Sequence, residues 1–156
     1  MSNLLHPYSY WLEDGKYLFR TPSNALYAAY FLDLTHFADN LFTFNFDKVK
    51  QGDKRIVDKF VFDTICTILI HFFENHRKSI LLVCDSSDGR EKARKRLFDI
   101  WFHRIPTTHL LKIDKTCKTA DYDLILSLLM WDDNQARQTL IGWLDEYCEM
   151  LLQQDM

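Results

Sequence analysis

Residues 79–84, Ser-Ile-Leu-Leu-Val-Cys, make a short run without a single charged side chain. A strand with one wet face alternates polar and apolar residues; this one does not, so it reads as a strand covered on both faces. A chain with such a strand needs packing layers on each side of it, and the flanking sequence supplies candidates for both.

Upstream, residues 8–12 and 17–21 flank Asp14-Gly15, a dipeptide suited to the positive φ of a tight hairpin. Pro22, Ser23 and Asn24 give a second turn, and residues 26–34 follow as a long strand rich in Tyr and Phe. Phe42, Phe44 and Phe46 then alternate with Thr43, Asn45 and Asp47, giving one aromatic face and one polar face. These segments predict an antiparallel four-stranded meander.

After a basic connection, residues 56–76 are apolar around most of a helical projection, as expected of a helix buried across a sheet. The buried strand comes next. Asp88 with Glu91 has the spacing of a capping box and opens a helix running to Arg104, which Pro106 ends. Residues 110–113 and 122–126 read as two more strands, and Asp132 or Asp133 as the cap of a final amphipathic helix. The predicted fold is therefore α+β with the order ββββαβαββα, in a single domain spanning residues 1–156.

Net charge is −3 and 47% of the residues are hydrophobic, which excludes a disordered chain and any global attraction to nucleic acid or an anionic membrane. Base stacking on the aromatic sheet is disfavoured because Phe42, Phe44 and Phe46 are expected in the core. The N-terminus lacks the basic start and apolar stretch of a signal peptide, and no segment suits a membrane span. With no CxxC pair among Cys66, Cys84, Cys117 and Cys148, the expectation is thiols in a reducing cytoplasm.

The most distinctive chemistry is Cys84-Asp85-Ser86-Ser87-Asp88-Gly89-Arg90, followed by Arg94, Arg96 and Trp101. It places carboxylates and hydroxyls at the C-terminal end of a buried strand, beside a helix N-terminus, where ligands gather in α/β folds. Asp85, Asp88, Arg90, Arg94, Arg96 and Trp101 are thus candidate binding residues for a phosphate, a carboxylate or an acidic partner. Ordinary helix stabilisation by early carboxylates and later cations explains the same pattern. A second candidate anion site is the connection carrying Lys50, Gln51, Gly52, Lys54 and Arg55, whose charge opposes the dipole of the helix it precedes. A solvated loop is the competing account. The six histidines show neither HxxxH nor HExxH spacing, and no Walker, GxGxxG or GxSxG motif is present. No metal or catalytic residue is expected.

On Thr64-Ile65, Phe72-Phe73, Cys84-Asp85, Asp88-Gly89-Arg90, Arg94, Arg96-Leu97-Phe98 and Trp101-Phe102, the chain resembles an uncharacterised family of short bacterial cytosolic proteins, mostly from Bacteroidota. That family is a domain of unknown function, so the resemblance implies no activity. The element order also resembles the GNAT acetyltransferase core, in which a glycine-containing turn after the fourth strand holds the coenzyme A pyrophosphate. The matching stretch, residues 50–55, has Gln51, Gly52 and Arg55 but lacks a second glycine. The two helices usual between the first strands are missing, and the position of a frequent tyrosine general acid is Phe98. The expectation is a non-catalytic binding or protein-interaction module without a cofactor, acting on a protein partner or a second copy. The alternative is a GNAT-like N-acyltransferase using coenzyme A or acetyl-CoA.

Overall fold

The computed structural model describes residues 4–53, 58–85, 91–118, 120–121 and 123–154. It has the expected α+β order: β1 (Tyr10–Glu13), β2 (Lys16–Arg20), β3 (Leu26–Asp33), β4 (Leu41–Lys50), α1 (Lys59–Phe72), β5 (Ser79–Asp85), α2 (Glu91–Arg104), β6 (Leu110–Lys118), β7 (Asp123–Trp131) and α3 (Arg137–Gln154). One seven-stranded sheet runs β1-β2-β3-β4-β5-β7-β6. Strands β1 to β4 are the antiparallel meander. Asp14 and Gly15 both have positive φ at the first hairpin, as the dipeptide requires.

Strand β5 joins β4 in parallel and β7 antiparallel, and β6 pairs with β7 at the far edge. Strands β4, β5 and β6 therefore all point the same way, and both crossovers step in the same direction along the sheet. Right-handed crossovers then put α1 and α2 on one face. That face holds Phe19, Tyr27, Phe44, Ile80, Leu82 and Leu129 under Ile65, Ile68, Leu69 and Trp101. The opposite face of β5–β7–β6 packs Leu81, Leu126, Leu128 and Met130 against Leu140 and Leu144 of α3. Strand β5 is covered on both faces over Ile80, Leu81 and Leu82, as expected, but Val83 of the same run is exposed. Phe44 is buried, and Phe42 and Phe46 pack against the same core, so the aromatic face of β4 lies under helices.

Several boundaries differ from expectation. Helix α1 begins at Lys59, where the Asp58 side chain accepts from the N–H groups of Phe60 and Val61. Strands β6 and β7 run on to Lys118 and Trp131, because Lys112 and Asp114 find charged partners on α2 and need not return to solvent. Helix α3 begins later, at Arg137, after an Asn134 side chain that accepts from the Ala136 N–H. Asp132 and Asp133 do not cap it; they pair with His109 and His76.

The N-terminal segment is a strap across α1. The His6 N–H donates to Asp63 (3.0 Å) and the Tyr8 N–H to the Thr64 hydroxyl oxygen (2.8 Å). Asp63 is buried and also takes the Arg104 guanidinium, so one carboxylate links strap, α1 and α2.

The cysteines correct the expectation of free thiols in part. Cys117 of β6 and Cys148 of α3 form a disulfide, whereas Cys66 and Cys84 are buried outside any disulfide. Thirty-one residues separate the bridged pair, so neither spacing nor neighbours announce it. Titration of the denatured, unreduced protein with a thiol reagent should find two thiols, Cys66 and Cys84, and four after reduction. Four without reductant would show that the bridge does not form.

Candidate functional site

Both sequence-derived candidates lie where β4 and β5 come apart. The two strands pair only through Leu41↔Ser79, Phe42↔Ile80 and Thr43↔Leu81, yet β4 continues to Lys50 and β5 to Asp85. Beyond Thr43 and Leu81 no ladder joins them, which leaves a mouth at the C-terminal ends of two parallel strands. The chain re-enters from there into the N-termini of α1 and α2, the arrangement in which α/β sheets take ligands.

The floor of this mouth is aromatic. Trp101 of α2 meets Phe44 and Phe46 of β4 edge-on, with ring centroids 6.3 and 5.6 Å apart, and also touches Phe62 and Phe98. Trp101 is only 3% exposed, so it belongs to the core and not to a contact surface. Its Nε1–H is buried without an acceptor among the described residues. The Trp101 carbonyl accepts from the Cys66 thiol at 3.2 Å. Burial, offset in part by Arg104, pushes that thiol up to about 12, so it stays protonated at neutral pH.

On the α1 side, two first-turn amides are already taken. Asp58 Oδ1 accepts from Phe60 N–H (2.9 Å) and Val61 N–H (3.1 Å), occupying the amides a bound phosphate would use. Asp58 Oδ2 accepts from the Tyr8 hydroxyl at 2.7 Å. Burial and this contact raise the Tyr8 hydroxyl to about 12. Gly52 has its own structural reason: an added Cβ would stand 2.7 Å from the Ser23 carbonyl oxygen and 2.9 Å from the Ala25 nitrogen. The next residue, Asp53, donates its N–H to that same carbonyl at 2.7 Å. The glycine lets the chain lie against the β2–β3 turn. Lys50 and Gln51 are exposed, and Gln51 accepts weakly from Lys48 at 3.5 Å. Lys54 and Arg55 lie outside the described residues.

On the α2 side, Arg96 is exposed. Asp88 and Arg90, and with them the capping box, lie outside the described residues, as do the side chains of Asp85 and Arg94. The structure does not bring Arg96 and Trp101 to one surface. Lys95 is drawn into an ion cluster that fastens α2 to β6. It meets Asp99 (2.9 Å) and Asp114 (3.4 Å), while Lys112 reaches both carboxylates at 2.6 Å. Ser127 adds a hydroxyl hydrogen bond to Asp114. Sequence reasoning missed this cluster, because its residues come from three elements and only Lys95 and Asp99 share a helical spacing.

With the geometry in hand, comparison with known proteins gives one match. A family model described as a family of unknown function, DUF6169, matches residues 53–142. The chain belongs to that family. The matched stretch runs from the connection after β4 into the first turns of α3, so it contains α1, β5, α2, β6 and β7 but not the meander. No curated protein and no solved structure matches the chain.

Two outcomes follow from the site's construction. Gly52→Ala should destabilise the fold by about 1–3 kcal/mol in urea unfolding, since backbone must move to admit the methyl group. A neutral effect would mean that the loop does not pack on the Ser23 turn. The second outcome concerns acid. Burial alone would raise the Asp99 and Asp114 carboxyls, but hydrogen bonds and charge from Lys112, Lys95 and (for Asp114) Ser127 outweigh it and hold both below the ordinary 3.8. Groups lowered on folding lend stability above their unfolded value, which is lost as pH falls through the folded one. Unfolding free energy should therefore decline on acidification below 3.8, and Asp99→Asn with Asp114→Asn should flatten the decline. An unchanged slope in the double variant would assign the acid limb to other carboxylates.

Proposed function

We propose that the chain is a single-domain, non-catalytic binding module of the cytoplasm, whose protein partner or second copy seats at the β4–β5 mouth and on the stretch from Asp85, at the end of β5, to Arg96 in α2. The observation that carries this reading is the separation of β4 and β5 after three residue pairs. Strand edges without a ladder partner, in the middle of a sheet, are ready acceptors for another segment. Exposed Arg96, with Arg90 and Arg94 close in sequence, supplies charge suited to an acidic partner. The titratable groups beside the mouth favour binding over chemistry: Cys66 and Tyr8 are both held protonated, and Asp58 is committed to capping α1.

The strand order favours a second reading. A meander, a parallel β4–β5 pair that opens, and two same-face crossovers suit a GNAT-like N-acyltransferase holding coenzyme A or acetyl-CoA in the opening. Against it stand the amides taken by Asp58, the packing role of Gly52, and Phe98 in place of a proton donor.

A thermal-shift series with coenzyme A and acetyl-CoA separates the two. A ligand at a hundredfold excess over its Kd stabilises a fold by about 2.7 kcal/mol, so a true site gives a saturating rise in Tm. No rise is expected. A saturating rise would replace the binding-module reading with the transferase. For the module itself, Arg90→Glu, Arg94→Glu and Arg96→Glu together should abolish self-association or partner capture at unchanged Tm. Unaltered association would place the interface elsewhere.

A further inference from the structure

The end of the sheet opposite the β4–β5 mouth holds a second concavity. There the end of α1, the connection from α2 to β6 and the end of β7 line a partly open cavity of about 210 Å3. Its walls are Ile70, Phe73, the Ile105–Thr107 turn, Leu110 and Trp131. It opens to solvent beside exposed Pro106 and half-buried Thr107, while Phe73 and Leu110 at its back are buried.

The walls are mostly apolar, and two of their polar groups are engaged. The Trp131 Nε1–H donates to the Phe73 carbonyl at 2.5 Å, and the Thr107 hydroxyl oxygen accepts from the His109 N–H at 3.2 Å. Walls this apolar offer a water molecule few of the two to four partners that make buried water stable. Apolar cavities of roughly 150 Å3 with Leu, Ile and Phe walls stay dry and take up benzene. The present cavity has similar walls, is larger, and adds an indole.

The walls are also fixed in advance. The His76 ring stacks on Trp131, with centroids 4.4 Å apart and planes within 9° of parallel, and Asp133 holds its Nδ1 at 3.1 Å. Asp132 joins the turns before β6 and after β7, donating its N–H to the His109 carbonyl (2.8 Å) and meeting His109 Nδ1 through its carboxylate (2.9 Å). The same Ile105–Leu110 stretch lines an open cleft with His103, Thr108 and His109, giving a polar substituent somewhere to lie.

We propose that this cavity is a binding site for a small aromatic molecule, one ring system of benzene to indole size, entering past Thr107 with any polar substituent left in the adjoining cleft. The site lies at the far end of the sheet from the β4–β5 mouth and does not depend on the function proposed for it.

Indole titrated into the 15N-labelled protein tests this directly. The Trp131 Nε1–H signal and the Thr107 and Leu110 amides should shift together along one saturating curve. Thr107→Phe, at a half-buried position, plugs the entrance with a ring and should weaken indole binding by about tenfold or more. Ile70→Phe fills the cavity from the α1 wall and should do the same, which keeps the test open if the first variant fails to fold. Absence of saturable shifts with indole, benzene and toluene in the wild-type protein would overturn the proposal. So would equal indole affinity in the wild type and a folded cavity-filling variant.

Discussion

Among the described residues, three residue pairs join the two halves of this sheet. Strands β1 to β4 form one half and β5, β7 and β6 the other, and a seam this short cannot by itself hold them in register. The work falls to the helices laid across it. Helix α2 follows β5 in the chain, yet its Trp101 packs on Phe44 and Phe46 of β4. Helix α1 contributes Phe72, which stacks on Phe31 of β3 at 4.2 Å and meets Phe42 edge-on. The aromatic layer bridges the seam, which explains why a chain with 15% aromatic residues collects so many of them on one face.

That constraint also determines where chemistry is available. Opening the seam towards the C-terminal ends of β4 and β5 leaves their facing edges without a ladder, and the sequence packs rings beneath them. Polar side chains nearby are spent on architecture. Asp58 caps a helix, Asp63 gathers three segments, and the Lys95–Asp99–Lys112–Asp114 cluster anchors α2 to the edge strand. Close-packed ion pairs of this kind set the geometry of an element more than they add stability.

The order of elements was readable because each carries a local signature. Asp14-Gly15 marks a hairpin, Phe42, Phe44 and Phe46 a two-residue period, and residues 79–84 a strand with no wet face. What escaped depended on partners distant in the chain. Asp114 looks like the start of a loop until Lys112 and Lys95 are seen beside it. Asp132 and Asp133 look like helix caps until His109 and His76 claim them. Gly52 looks like a phosphate turn until Ser23 is found against it. The candidate site was legible as a location, the ends of the fourth and fifth strands, and less so as a set of side chains, because Trp101, a candidate binding residue, turns into the core.

The Cys117–Cys148 bridge divides the molecule in another sense. It closes the end of β6, all of β7 and most of α3 into one covalent ring, whose loop-closure entropy in the unfolded chain is worth on the order of 4 kcal/mol. The meander has no such tie. Its hold on the rest passes through the short seam, the aromatic layer and the N-terminal strap, all of them non-covalent. The two halves thus face thermal fluctuation on unequal terms: one is a knotted parcel, the other a folded sheet of paper leaning against it.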